Sequence, residues 1–217
     1  MQFVLDGAEI TASVDQLIVA GWTGRDERAV KHHIQELAEL GVAPPSQIPL
    51  FYRGSSLLLV QALEIEVLGT STSGEVEPLL IRQNGEMFLG LGSDHTDREL
   101  EAVSVAASKQ ACAKPVARHL WRFKEVEAHL DQLRLVCEIE EDGHWATYQE
   151  GDLASIRPLG ALAESVELRD GQAMLCGTLG AIGGVRPALA YRMSLSDPVL
   201  DRTIELSYRV LPLPVIS

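Results

Sequence analysis

Three short dipeptides set the frame for this chain: Asp6-Gly7, Asn84-Gly85 and Asp142-Gly143, each between runs of apolar and β-branched residues. An Asx-Gly pair tolerates the positive φ angles of a two-residue hairpin loop, so each pair predicts two antiparallel strands joined by a tight turn. The opening "MQFVLDGAEITA" is the first such hairpin, and a second extended stretch follows at 16–22. Further β-rich runs occupy 56–61, 62–68, 76–83 and 86–91, then 133–140 and 144–148, and finally 173–178, 187–195 and 203–211. Helical periodicity intervenes where Ala29, Val30, Ile34, Leu37 and Leu40 recur after the capping residue Asp26, and Gly41 ends that helix ahead of Pro44-Pro45. Residues 99–111 also read as helical, and a short helix is expected after Asp152. The fold class expected is mainly β with α, in a single domain over 1–217. Its N-terminal hairpin covers about 1–22 and its core about 22–210.

The length of 217 residues suits one sizeable core. Eighteen basic against 31 acidic residues leave a net charge of −13, a field that repels phosphate backbones and anionic membrane surfaces, so no nucleic acid and no membrane partner is expected. Asp6, Glu9 and Asp15 occupy the region where a secretory signal carries basic residues, and no run approaches the roughly 18 apolar residues of a membrane span. Cys112, Cys137 and Cys176 are widely spaced and odd in number, which reads as reduced thiols of a cytoplasmic protein.

Several residues could carry chemistry. In "ALEIEV" the alternation of a strand puts Glu64 and Glu66 on one face, where two carboxylates repel unless a cation lies between them or water solvates both. A hairpin can return the chain so that Asp94, in "GLGSDHTDREL", joins them as a third hard oxygen ligand of the kind that suits Mg²⁺, Mn²⁺ or Ca²⁺. The bland alternative, a solvated edge-strand face, stays open. His33 and Glu36 lie three apart on the first helix, where a carboxylate can orient an imidazole as a base or simply make a surface contact; His32 is its neighbour and competitor. Arg53 in "IPLFYRGSS" and Lys114 in "CAKPVARHLW" could clamp a carboxylate, with Lys109 the competitor of Lys114. The glycines of "CGTLGAIGG" let backbone amides approach a ligand or make a tight turn.

Taken in order, these pieces resemble the catalytic domain of the fumarylacetoacetate hydrolase superfamily: His33-Ile-Gln-Glu36, "PPSQIPLFYRGSS", Glu64-Ile-Glu66, Asp94-His-Thr-Asp-Arg98-Glu-Leu-Glu, Lys114, and Gly177-Thr178-Leu-Gly180. Arg53 stands where that family has Lys, Gly54 where it has Pro, and Leu179 where its glycine turn has Pro. The resemblance implies a mixed β-roll and a homodimer. It also implies a metal-dependent enzyme that cleaves a C–C bond in an acylpyruvate-like or other 2-oxo or 1,3-dicarbonyl carboxylic acid through a metal-stabilised enolate. Decarboxylation, enol–keto isomerisation and sugar-acid dehydration by the same site stay open, as does a non-catalytic domain that binds a metal or small acid. By the same resemblance Glu64, Glu66 and Asp94 hold Mg²⁺ or a similar ion. His33 with Glu36 supplies the base, Lys114 and Arg53 meet negative charge, and Gly177 and Thr178 bind the small-molecule carboxylic acid substrate.

Overall fold

A computed structural model of the chain describes residues 1–39 and 44–216, without the side chains of residue 33 and residues 36–39. Strands β1 (Gln2–Leu5) and β2 (Ala8–Thr11) form the first hairpin, with Asp6 and Gly7 at φ 52° and 78°. Strand β3 (Gln16–Gly21) leads to helix α1 (Glu27–Glu39), whose first amides, Arg28 and Ala29, donate to the Asp26 carboxylate at 2.9 and 3.3 Å. The expected end of this helix at Leu40 and Gly41 lies outside the described residues.

The chain resumes in β4 (Leu50–Gly54), a strand outside the runs expected from sequence. The run expected as a strand at 56–61 is a 3-10 turn capped by the Ser55 hydroxyl, followed by the two-residue β5 (Leu59–Val60). Then come β6 (Glu64–Leu68), β7 (Thr72–Ser73), β8 (Val76–Gln83), β9 (Glu86–Ser93) and β10 (Thr96–Asp97). The helix expected over 99–111 is broken into α2 (Arg98–Val103) and α3 (Val105–Ala111) at Ser104. That residue's amide closes α2 on the Leu100 carbonyl while its hydroxyl accepts from Ala107 N–H to cap α3, so one serine ends one helix and starts the next.

The remaining elements are β11 (Lys114–Pro115), β12 (His119–Arg122), α4 (Phe123–Val126), the long hairpin β13 (Arg134–Glu141) and β14 (His144–Asp152), α5 (Leu159–Ser165), β15 (Gln172–Leu175), β16 (Ala190–Asp197) and β17 (Arg202–Leu213). Asn84-Gly85 and Asp142-Gly143 all have positive φ, as two-residue hairpin loops require.

Two larger sheets result. One has eight strands in the order β2-β1-β12-β9-β8-β15-β3-β4, and the other five in the order β14-β13-β16-β17-β6. Both mix parallel and antiparallel pairs: β1 with β12, β15 with β3 and β17 with β6 are parallel. The main core draws Ile18, Leu80, Leu89 and Met174 from the first sheet and Ile139, Tyr191, Leu206 and Val210 from the second. A second apolar cluster, with Leu17, Val19, Leu79, Ile81 and Leu175, covers the other face of the eight-stranded sheet. β8 contributes to both clusters, which is why its sequence "VEPLLIR" is apolar on both parities past Glu77. No helix of the described residues is long and apolar enough to cross a membrane.

Candidate metal centre

The β8–β9 hairpin carries the site. Its two-residue loop fixes the register from Gln83↔Glu86 back to Val76↔Ser93, so the next step outward sets Glu75 beside Asp94. Asp94 N–H donates to the Glu75 carbonyl at 3.0 Å, which confirms that the ladder continues one residue past the strands. Glu77 stands two residues inward from Glu75, on the same side of the strand. Carboxylate oxygens of Glu75, Glu77 and Asp94 all lie within 4.8 Å of one another.

Beyond β8 on its other flank is β15, antiparallel to it with Leu175 opposite Leu79. Continuing that register brings Gly177 level with Glu77, and Gly177 N–H donates to Glu77 Oε2 at 2.8 Å. Gly177 has φ +96°, and a Cβ there would overlap Thr23 Oγ1, so this position needs glycine twice over. Thr178 Oγ1 donates to the Val76 carbonyl at 2.7 Å and accepts from Gln149 Nε2 at 2.8 Å. Gln149 also takes Val76 N–H on its Oε1 at 2.9 Å, so one buried amide ties the glutamate strand to the Gly-Thr turn.

Three cations press on the acids. Lys114, fully buried on β11, lies 2.8 Å from Asp94 Oδ1 and donates to the His95 carbonyl. Lys109, on α3, lies 2.7 Å from Asp94 Oδ2. Arg98 lies 3.0 Å from Glu75 and 2.7 Å from Glu101. Burial by itself would raise the Asp94 carboxyl, but the ammonium groups of Lys109 and Lys114 overcome it and hold the group well below the usual carboxylate range. Glu77 goes the other way: burial, and then the charges of Asp94 and Glu75, push its carboxyl well up. Behind Asp94, His95 is sealed in with Nδ1 3.0 Å from Tyr208 Oη and Nε2 2.9 Å from Thr72 Oγ1. Burial, helped by Lys114 and Arg98, brings its pKa down to about 3, so the ring is neutral.

A divalent cation fits these residues. Glu77 is 2% exposed and, among the described residues, makes no ion pair. Among the described residues four carboxylates (Glu75, Glu77, Asp94, Glu101) meet three cations (Arg98, Lys109, Lys114), so ionising all four acids leaves one negative charge for a bound cation to offset. An all-carboxylate donor set suits Mg²⁺, Mn²⁺ or Ca²⁺ rather than a softer ion.

Not every expected site residue arrives here. The expected pairing of Glu64 and Glu66 with Asp94 is corrected: both glutamates are exposed on β6, the outermost strand of the five-stranded sheet, and the pair beside Asp94 is Glu75 and Glu77. Both pairs sit on one face of a strand, and sheet position separates them. Arg53 is exposed on the edge strand β4. Lys114 and Lys109 both reach Asp94, so the two competitors are both present. Gly177 and Thr178 flank Glu77. His33 and Glu36 fall on α1, with their side chains outside the described residues, and His32 beside them is exposed. Glu75, Glu77, Glu101 and Gln149 were not singled out from sequence. The hairpin register was the signal that could have found the first two.

The two-sheet architecture is a fumarylacetoacetate hydrolase-type fold. Solved structures with this fold include 2-keto-3-deoxy-D-arabinonate dehydratase complexed with magnesium and 2,5-dioxopentanoate, 14% identical with a TM-score of 0.64 over 94% of this chain and 75% of that one. Another is 5-carboxymethyl-2-hydroxymuconate delta-isomerase from Mycobacterium smegmatis, 14% identical with a TM-score of 0.62 over 96% and 84%. A third is maleylpyruvate hydrolase from Sphingobium sp. SYK-6, 12% identical with a TM-score of 0.61 over 95% and 78%. No curated protein matches the chain by sequence. The chain belongs to the family described as "Protein of unknown function (DUF2848)", which it matches over residues 20–208.

Proposed function

We propose that this chain is a cytoplasmic, divalent-metal-dependent enzyme that hydrolyses a C–C bond in an acylpyruvate-like or other 2-oxo or 1,3-dicarbonyl carboxylic acid. The observation that carries the proposal is the convergence of Glu75, Glu77 and Asp94 within 4.8 Å, one of them buried without an ion pair among the described residues. Glu75, Glu77 and Asp94 would hold Mg²⁺ or Mn²⁺. When bound, such an ion supplies a Lewis acid for the 2-oxo carboxylate and steadies the enolate that C–C cleavage leaves behind.

The chain's own residues do the rest. Lys114, fixed against Asp94 and the His95 carbonyl, supplies positive charge beside the ligands. The Gly177–Thr178 turn, locked by Gln149, holds the Gly177 amide against Glu77 and is the proposed contact for the substrate. His33, with Glu36 one turn on along α1, is the proposed base that activates water, and Arg53 the proposed outer contact for a substrate carboxylate. The three named relatives support the substrate class: one is bound to magnesium and 2,5-dioxopentanoate, and another is a maleylpyruvate hydrolase. A dehydratase and an isomerase share the fold, so dehydration, isomerisation and decarboxylation are the competing reactions of the same site.

The working unit proposed is a homodimer, supported by Leu68, Leu211 and Leu213, which are exposed together where β6 pairs with β17. A sedimentation mass of one chain, 23.6 kDa, would remove that part. The reaction is tested by incubating the protein with Mn²⁺ and a panel of 2-oxo and 1,3-diketo acids, with product analysis. Acyl and pyruvate fragments are expected; CO₂ or an isomerised acid would reassign the reaction, and no turnover of any member would sink the enzyme reading.

A further inference from the structure

Lys109 has no role in the proposal above, yet it is almost fully buried and its ammonium group is the most heavily shared cation of the site. Its Nζ lies 2.7 Å from Asp94 Oδ2, 3.4 Å from Glu101 Oε1 and 3.7 Å from Glu75 Oε2, and donates to Thr96 Oγ1 at 3.1 Å. Two of those three acids are members of the triad. Lys114 differs, because among the described residues it meets no acid but Asp94 and is anchored to a backbone carbonyl. Lys109 therefore sits where a divalent ion and a side-chain cation draw on the same oxygens.

We infer that Lys109 is a built-in counter-ion that competes with a divalent cation for Asp94 and Glu75 and thereby sets how tightly the cation is held. This rests on the triad being a cation site. Without the ion, Lys109 offsets the repulsion of the clustered carboxylates, so the site is assembled before the ion arrives. With the ion present, a single and a double positive charge a few ångströms apart repel, which even at high effective dielectric costs roughly a factor of ten in affinity. Glu101 gives the ammonium a place to lean. It is 3.4 Å away on α2, outside the triad, and is itself held by Arg98.

The test is Mn²⁺ titration by calorimetry, with melting curves in the presence and absence of Mn²⁺, on wild type, K109M, K109Q and K109R. The neutral variants are expected to bind Mn²⁺ at least roughly tenfold more tightly than wild type, to melt lower without the ion and to gain more from it. K109R, which keeps the charge, should stay within a few-fold of wild-type affinity. Unchanged or weaker Mn²⁺ binding by folded K109M and K109Q overturns the inference while leaving the metal reading intact. Failure of both neutral variants to fold even in saturating Mn²⁺ also overturns it, because Lys109 would then be a structural tie. If neither wild type nor the neutral variants bind Mn²⁺, the metal reading itself falls and this inference with it.

Discussion

At the scale of single residues, two glutamate pairs of the same pattern meet opposite fates, and this is the sharpest test of the site. Glu77 is buried against Gly177 N–H and within ligand distance of Glu75 and Asp94, whereas Glu64 and Glu66 face solvent on an outer strand. Glu77→Gln keeps the shape but removes the charge that a hard cation needs, so Mn²⁺ heats in calorimetry are expected to vanish. The double variant E64Q/E66Q should bind Mn²⁺ as wild type does, since neither carboxylate belongs to the triad. The reverse result would return the ligands to β6. His33→Ala is expected to leave Mn²⁺ affinity unchanged while turnover on the best substrate of the panel falls by roughly 10²- to 10⁴-fold, the range for a lost general base. Full turnover in that variant would take the proton chemistry away from α1.

At the scale of elements, the centre is made by registers. A two-residue loop at 84–85 forces paired residues of β8 and β9 to sum to 169, as Val76↔Ser93 and Gln83↔Glu86 do, so Asp94 must face Glu75. The same arithmetic was available from the sequence, because the Asn84-Gly85 turn and the apolar runs either side of it were legible there. Glu64 and Glu66 carry the same pattern on β6, a strand before the hairpin, and only the hairpin's own first strand is in register with Asp94. The β15 side was not legible in that way. Its register with β8 comes from a pairing across some 90 residues that no local turn dictates, and Gln149, which bolts the two together, belongs to the other sheet. Gly177 tests this junction. Gly177→Ala forces a Cβ into Thr23 Oγ1 at a positive φ, and is expected to cost about 2–4 kcal/mol in urea denaturation from strain and overpacking together. Thr23→Ala in the same chain should return part of that loss, and a Gly177→Ala protein as stable as wild type would show that the turn is looser than described.

At the scale of the whole molecule, the main core runs from Ile18 to Val210 and takes residues from both larger sheets, so the sheets cannot separate without exposing one continuous apolar surface. A continuous run such as "PLLIR" is apolar on both faces, which a strand sustains only when both faces are covered. The site lies at the mouth of the central strands of the larger sheet, with α2, α3 and β11 closed over it through Arg98, Lys109 and Lys114. An ion held there touches groups that come apart only when the sheet does, so its binding free energy should appear in global stability. Thermal unfolding is expected to be a single transition. With Mn²⁺ at a hundred times its dissociation constant, mass action adds about 2.7 kcal/mol, which for a chain of this size raises the melting temperature by about 5–10 °C. The E64Q/E66Q protein should show the full rise and E77Q none. A wild-type melting temperature indifferent to Mn²⁺, Mg²⁺ and Ca²⁺ alike would mean that the three carboxylates share their cluster with side-chain cations only, and that whatever chemistry the fold performs does not run through a metal.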